Sequence, residues 1–316
     1  MSELFSTLPR SLRIGVLRGG PSLEYETSLN TGDTVLKTFS ETHQPVDIFI
    51  STDGEWYMQG VERSPERILK NVDVVWNGLH GEFGEDGAVQ DILSSHGVLY
   101  TGSDRYSSAI SMNRWLAKEK LRTLGIKTPL AILVRREDDI SKKTVEIFGS
   151  IPRPFVVKPA MGGYAVSFTK PDSLDDLVLA LGDVLKEHES ALVEEYIAGK
   201  HAISGIINGF RGQDMYALSP IEFINTENDF ISPGNFSEKE KREIESLARS
   251  VHEALGLRHY SSSDFMVTPR RGIYFLEVTT SPKISEASSL GKSLGAVGSS
   301  IKEFLHHIVR SVLNRK

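Results

Sequence analysis

The run LRIGVLRGG, from Leu12 to Gly20, constrains the fold more than any other stretch. It is an apolar strand that stops at two glycines, followed at once by SLNTGDTVLKTF, whose apolar spacing is helical, and then by a second apolar run, VDIFIS. A third run, NVDVVWNGLHG (Asn71 to Gly81), ends in a polar, glycine-rich loop before the helical AVQDILSSHG. Strand, helix, strand in this rhythm predicts a parallel sheet with helices on its faces, and ligands then sit beyond the carboxyl ends of the strands. The loops GGPSLE and HGEFGEDG both fall at such ends.

The 316 residues suffice for two or three domains. With 36 basic and 42 acidic side chains the net charge is −6, which argues against nucleic acid as the main partner. The chain has no cysteine, so disulfides, thiolate metal sites and cysteine nucleophiles are excluded. No stretch approaches the ~20 apolar residues of a membrane span, and the first residues do not read as a signal peptide. A cytoplasmic protein without a membrane partner is expected.

Further along, NRWLAKEKLRTLGI is helical in spacing and closes at Gly125, and KTPLAILV reads as extended. RPFVVKPAMGGYAVSFTK reads as strand, glycine loop and strand, followed by the helix DSLDDLVLALGDVLKEH and the strand ALVEEYI. From His201 the pattern becomes antiparallel, with AISGIING, DMYALSPIEFI, SSSDFMVTP and GIYFLEV around one long helix, SEKEKREIESLARSVHEALG. Three α/β parts, 1–103, 104–200 and 201–316, account for this order.

Several motifs carry chemistry. In VVKPAMGGY, a lysine at a strand end and a glycine loop can hold a phosphate, although lysines are usually solvated and paired glycines usually mark turns. LVEEYI, a strand ending in two acids near a domain crossing, can meet a nucleotide or simply end in water. SSSDFMV and IYFLEV, joined by a turn containing PRRG, place Asp264 and Glu277 where a hairpin lets two carboxylates share Mg²⁺; two surface acids are the plainer alternative. Glu24 and His80 lie in the two N-terminal strand-end loops, where ligand contacts gather, but a lone histidine is more often structural.

Taken in order, GGPSLEYETSLNTG, GLHGEFGEDGAVQDILSSHGVLYTGS, SAISMNRW, VVKPAMGG, LVEEYIAG, SSDFMV and LEVTTSP resemble the D-alanine–D-alanine ligase family of ATP-grasp enzymes, over nearly the whole chain and as a divergent member. The resemblance implies an ATP-grasp fold with an N-terminal Rossmann-like domain, and ATP clamped between the central and C-terminal parts. It further implies transfer of the γ-phosphate to the carboxylate of one D-alanine and attack by the amine of a second, giving a dipeptide for cell-wall precursors. Small amino acids are then the partners, ATP with Mg²⁺ or Mn²⁺ the cofactors, and a homodimer one expectation. Residue by residue it implies Glu24, Lys283 and Ser288 as catalytic, and Glu24, Ser28, His80 and Ser288 as substrate-binding. Arg114, Lys158, Gly163, Tyr164, Glu194, Glu195, Ile197 and His201 would bind the nucleotide, Glu194 and Ile197 at its adenine, and Asp264, Glu277 and Thr279 the metal.

The chain also departs from the family pattern. Thr279 stands where an asparagine binds metal, Ser262 where an arginine faces the transferring phosphoryl group, and Lys283 where a glycine offers its N–H. Arg114 replaces a lysine, His201 a ribose-binding glutamate, and Tyr164 and Ala165 two serines of the phosphate loop, while FINTENDFISPGN is shorter than the family's lid. Lys283 is expected to stand in for the absent guanidinium, and Tyr164 for the phenol lost with the lid. Two other readings fit the same residues: a ligase with a different acceptor, and a catalytically silent relative that binds nucleotide.

Overall fold

Arg13–Gly19 forms strand β1, buried along nearly its whole length as its unbroken apolar run predicts. It leads into helix α1 (Tyr25–Ser40), then β2 (Gln44–Ile50), β3 (Trp56–Met58), β4 (Val61–Glu62), the short α2 (Pro65–Leu69), β5 (Val74–Asn77) and α3 (Ala88–Ser95). In this computed structural model, residues 11–162, 169–224 and 229–314 are described. The sheet order is β4-β3-β2-β1-β5, with β1 parallel to both β2 and β5. Gly19 turns the chain out of β1 at φ +88°, and a Cβ there would lie 2.3 Å from the carbonyl oxygen of Ile50, so only glycine fits.

The second part comprises α4 (Arg105–Met112), α5 (Arg114–Thr123), β6 (Ala131–Arg135), α6 (Ile140–Ser150), β7 (Phe155–Pro159), α7 (Leu174–Glu187) and β8 (Ser190–Glu195). The strands make an antiparallel sheet, β6-β8-β7, with α6 and α7 packed on one face around Phe155, Val157, Leu181 and Val193. Strand alternation places Lys158 and Glu194 on the opposite face. Asn113 and Asp104 cap α5 and α4 by accepting from backbone N–H groups of the first turn.

The third part holds β9 (Lys200–Asn208), β10 (Met215–Ala217), β11 (Ile221–Phe223), β12 (Phe230–Ile231), α8 (Glu238–Ala254), β13 (Tyr260–Thr268), β14 (Gly272–Thr279), α9 (Ser289–Ala296) and α10 (Ile301–Leu313). Its antiparallel sheet runs β12-β11-β9-β13-β14, and α8, started by a full capping box at Ser237 and Glu240, covers one face. Ala202, Ile206, Phe265 and Phe275 point to that helix, so His201, Ile203, Ser262, Asp264, Glu277 and Thr279 share the other face.

Packing crosses the expected domain limits in two places. The α4–α5 pair lies before the three-stranded sheet in sequence, yet Ala117, Leu121 and Ile126 pack into the core of the C-terminal sheet and α8. At the other end, α10 returns to the first sheet: Phe304, Leu305, Ile308 and Val309 join Ile14, Val16, Val74 and Trp76 in one core. The Trp76 ring stacks on Tyr260 at 6.0 Å and meets Phe304 edge-on at 6.2 Å. Each large side chain buried there contributes roughly 1.5–3 kcal/mol, so the first sheet depends on residues from the last part. No helix among the described residues is long and apolar enough to cross a membrane.

Candidate active site

A cleft opens where the carboxyl ends of β1 and β5 face the polar side of the C-terminal sheet. Glu24, His80, Ser262, Asp264, Thr279, Lys283 and Ser288 all line it, so seven residues predicted from distant segments converge. Thr27, Glu85, Ile203 and Phe230 line it as well.

On the N-terminal side two of the predicted substrate-binding residues are tied into the protein. Ser28 is fully buried; its hydroxyl accepts the N–H of Gly19 at 2.9 Å and donates to the carbonyl of Gly78 at 2.9 Å. These two bonds join β1 to the loop after β5. His80 is equally buried, with Nε2 2.7 Å from Thr31 Oγ1. That hydroxyl also accepts the N–H of Ile284 at 3.3 Å, and the ring is bonded to the Ser281 backbone as well. Burial, with Lys283 adding to it, lowers His80 to about 4. His80 is therefore a neutral clip between two loops.

Glu85, in HGEFGEDG, was missed by motif reading although it occupies a loop already singled out. Its carboxyl accepts the N–H of Ser281 at 2.6 Å and that of Gly81 at 3.4 Å. Burial, reinforced by the charge of Glu24, raises it to about 8. At neutral pH the cleft thus holds a protonated acid beside an exposed-side carboxylate position.

At the opposite end, Glu194 was expected against adenine. Its carboxylate receives Lys118 and Lys158, the latter at 2.9 Å, and all three groups are largely out of water. Burial alone would raise Glu194, but the two ammonium groups hold it down at about 2. Burial, partly offset by Glu194 and deepened by Lys158, lowers Lys118 to about 7. Lys118 was not predicted; its place four residues after Arg114, on the same helical face, was the available signal. Glu195, also assigned to the nucleotide, forms a two-pronged ion pair with Arg271 in the β13–β14 turn. Successive strand residues face opposite sides, so the two carboxylates point to opposite faces of the sheet. Ile197 is buried just beyond them.

Asp264 and Glu277 lie directly opposite each other across β13 and β14, followed by a register shift. Both now have cationic partners: His201 Nε2 sits 2.8 Å from Asp264 Oδ2, and Arg114 Nε sits 3.1 Å from Glu277 Oε2. Burial, with Glu277, raises Asp264 despite that histidine. For Glu277 burial is outweighed by Arg114 and Lys158, which keep it below the usual range. Burial works against the charge on His201, yet the bond to Asp264 raises it. His201 therefore contacts a metal-ligand candidate. Two opposed carboxylates with Thr279 two residues on form a hard oxygen set that suits Mg²⁺, once His201 and Arg114 give way. Among the described residues no group of three or more histidine, cysteine or acidic side chains is preformed for a metal.

Ser288 caps α9: its hydroxyl donates to the Ser285 carbonyl at 2.7 Å and accepts the N–H of Gly291 at 3.2 Å. The cap sets the start of α9 at the cleft, where the positive end of a helix dipole suits a carboxylate. In the shortened lid region β11 and β12 pair antiparallel, with Phe230 lining the cleft, and residues 225–228 between them lie outside the described residues. Gly163 and Tyr164, with Ala165, lie outside the described residues, as does the second strand expected after the glycine loop.

Comparison with known proteins gives concordant results. The family model described as D-ala D-ala ligase C-terminus matches residues 121–310. The D-alanine–D-alanine ligase of Paraburkholderia phymatum is 30% identical over 96% of this chain and 98% of its own length, and that of Aquifex aeolicus is 30% identical over 94% and 100%. A solved D-alanine–D-alanine ligase from Bacillus anthracis, complexed with ATP, superposes with a TM-score of 0.80 at 27% identity, covering 96% of this chain and 97% of that one. The Coxiella burnetii enzyme superposes with a TM-score of 0.87 at 22% identity, over 97% and 95%, a likeness of fold.

Proposed function

Because the chain belongs to the D-alanine–D-alanine ligase family, we propose that it is an ATP-dependent carboxylate–amine ligase of the cytoplasm that joins two D-alanines. The observation that carries this reading is the opposed pair Asp264 and Glu277, within charge reach of Lys158, of which Asp264 lines the same cleft as Glu24 and Lys283.

The γ-phosphoryl group moves from ATP to a carboxylate oxygen of the first D-alanine, breaking the bond to ADP and forming an acyl phosphate. The amine of the second D-alanine, having lost a proton, attacks the carbonyl carbon, and inorganic phosphate leaves. Such transfer is mostly positioning and charge neutralisation. Lys158 and Arg114 neutralise phosphate charge, and Glu24 takes the ammonium of the first substrate. The capped start of α9 takes the carboxylate of the second, and Lys283 faces the oxyanion that develops between them. Asp264, Glu277 and Thr279 would hold Mg²⁺, which supplies neutralisation between the phosphates. Glu85, protonated, keeps the Ser281 backbone in place without adding a second negative charge near Glu24.

Incubation with Mg²⁺, ATP and D-alanine, analysed for ADP and dipeptide, tests the proposal. Both products are expected, and Lys283→Ala is expected to lower turnover about 10²–10³-fold, as loss of one preorganised donor does. Thermal stabilisation by ATP without ADP release from any amino acid would refute it and mark a silent nucleotide-binding relative. Lys283 beside Ser288 supports one variant reading, a different acceptor amino acid; ADP release over an acceptor panel, greatest with something other than D-alanine, would establish that instead.

A further inference from the structure

Away from the reaction cleft, a second and larger one opens between the end of β9 with the turn after it, the loop before β13, and α10. It encloses about 1010 Å³, the scale of a small-molecule site. Three guanidinium groups, Arg211, Arg258 and Arg310, line it with the carboxylate of Glu303, and Asp104 pairs with Arg258 from its edge, in a chain of net charge −6.

The three arginines are not equivalent. Arg258 is paired with Asp104 at 2.5 Å. Arg211 donates to the carbonyls of Val297 at 2.8 Å and Gly298 at 3.3 Å, and lies 3.8 Å from Glu303. Arg310 forms no ion pair among the described residues, and its Nε is buried without a hydrogen-bond partner. A buried donor left unsatisfied is uncommon and costly, and it points to an acceptor that completes the site. His307 is fixed beside it by Nε2, which donates to the Asn208 carbonyl at 2.7 Å, and His306 lies on the same face of α10. Phe210, buried and edge-on to His307 at 5.1 Å, supplies an apolar wall.

We propose that this cleft binds a small phosphate-bearing anion, a phosphate or diphosphate ester, with its phosphate on Arg310 and its remainder along Phe210. The planar fork of arginine matches phosphate oxygens bidentately, and Arg310, the arginine of the three without an ion pair among the described residues, is placed to offer it. The volume leaves room for an organic portion. Strand β9 serves both clefts: His201 and Ile203 face the reaction cleft, and Asn208 reaches this one, about 17 Å further along the strand by the rise per residue.

The histidines provide a local readout. Burial lowers both; His43, Lys302 and Arg310 lower His306 further against Glu41, while for His307 the Asn208 carbonyl and Glu303 oppose Arg310. An anion on Arg310 removes part of that repulsion, so both should titrate at higher pH when it is bound.

The test is a ¹H–¹³C NMR titration of the imidazoles in the full chain, assigned with His306→Gln and His307→Gln, using sodium pyrophosphate as the probe. The His306 and His307 signals are expected to move saturably, with both pKa values rising by about half a unit or more. Arg310→Gln should weaken the response about tenfold, the worth of one charge-assisted hydrogen bond. Lys158→Ala, which strips phosphate affinity from the reaction cleft, should leave it intact. Signals that stay still up to roughly 10 mM probe, or that respond equally in Arg310→Gln, overturn the proposal. If Arg310→Gln does not fold, Arg310→Lys, which keeps the charge but not the fork, must still weaken the response; an unchanged response there overturns it too.

Discussion

Replacing Glu85 with glutamine isolates the effect of one buried proton. Glu85 is 5% exposed, with an ordinary value of 4.5 raised by burial and by Glu24 to about 8. Between those two values the folded chain retains a proton that the unfolded chain has released. The stabilisation this gives is fully present below about pH 4.5 and is lost as pH rises through 8. A gap of that size, at about 1.4 kcal/mol per unit, amounts to on the order of 5 kcal/mol as a ceiling. Glutamine keeps an oxygen for the Ser281 N–H and cannot ionise, so the variant lacks this slope while every other titrating group is shared. Urea unfolding of both proteins at pH 5.5, 6.5, 7.5 and 8.5 should show the wild type losing about 1.4 kcal/mol per pH unit relative to the variant, levelling above pH 8. Parallel pH profiles, or a wild type that gains on the variant as pH rises, would show that Glu85 is ionised in the fold and refute the argument.

Glu194→Gln should destabilise by about 3–5 kcal/mol, because it leaves two buried ammonium groups facing each other, whereas Lys118→Met should cost clearly less; calorimetry giving the reverse order would contradict the shared-carboxylate geometry. Ser28→Ala should cost about 2–4 kcal/mol in urea unfolding, by orphaning the Gly19 N–H and the Gly78 carbonyl; a neutral effect would mean another group satisfies both. His201→Gln should lower the Mg²⁺ concentration for half-maximal turnover on the order of tenfold, by removing a charge-assisted bond that competes for Asp264; an unchanged or higher requirement would show that the histidine does not compete.

What could be read in the sequence was local. LRIGVLRGG, SLNTGDTVLKTF and the Asp264–Glu277 hairpin have their periodicity and turn residues within a few positions, and the structure forms each of them. The side-chain partnerships were not legible, since Lys118 and Glu194 are 76 residues apart, as are Arg271 and Glu195. A carboxylate in a motif looks the same whether it faces a ligand or a lysine brought from elsewhere, so the ion pairs of Glu194, Glu195 and Asp264 leave no mark in the motifs. Ser28 and His80 show the same limit at loops, where the bonds of the first to Gly19 and Gly78 and of the second to Thr31 join segments distant in sequence. Packing across the domain limits has a related cause, because α5 and α10 follow their apolar faces to cores outside their own stretch of chain.

The return of α10 to the first sheet sets an order on folding in the cell. Glu41 meets Lys302 across 261 residues of sequence, and at ordinary rates of synthesis that interval takes roughly 10–50 s. Throughout it, Trp76 and its neighbours lack the Phe304 face that will seal them. The newest residues on the ribosome therefore complete the oldest part of the protein, and an early stop in the last helix would expose the core of the first sheet.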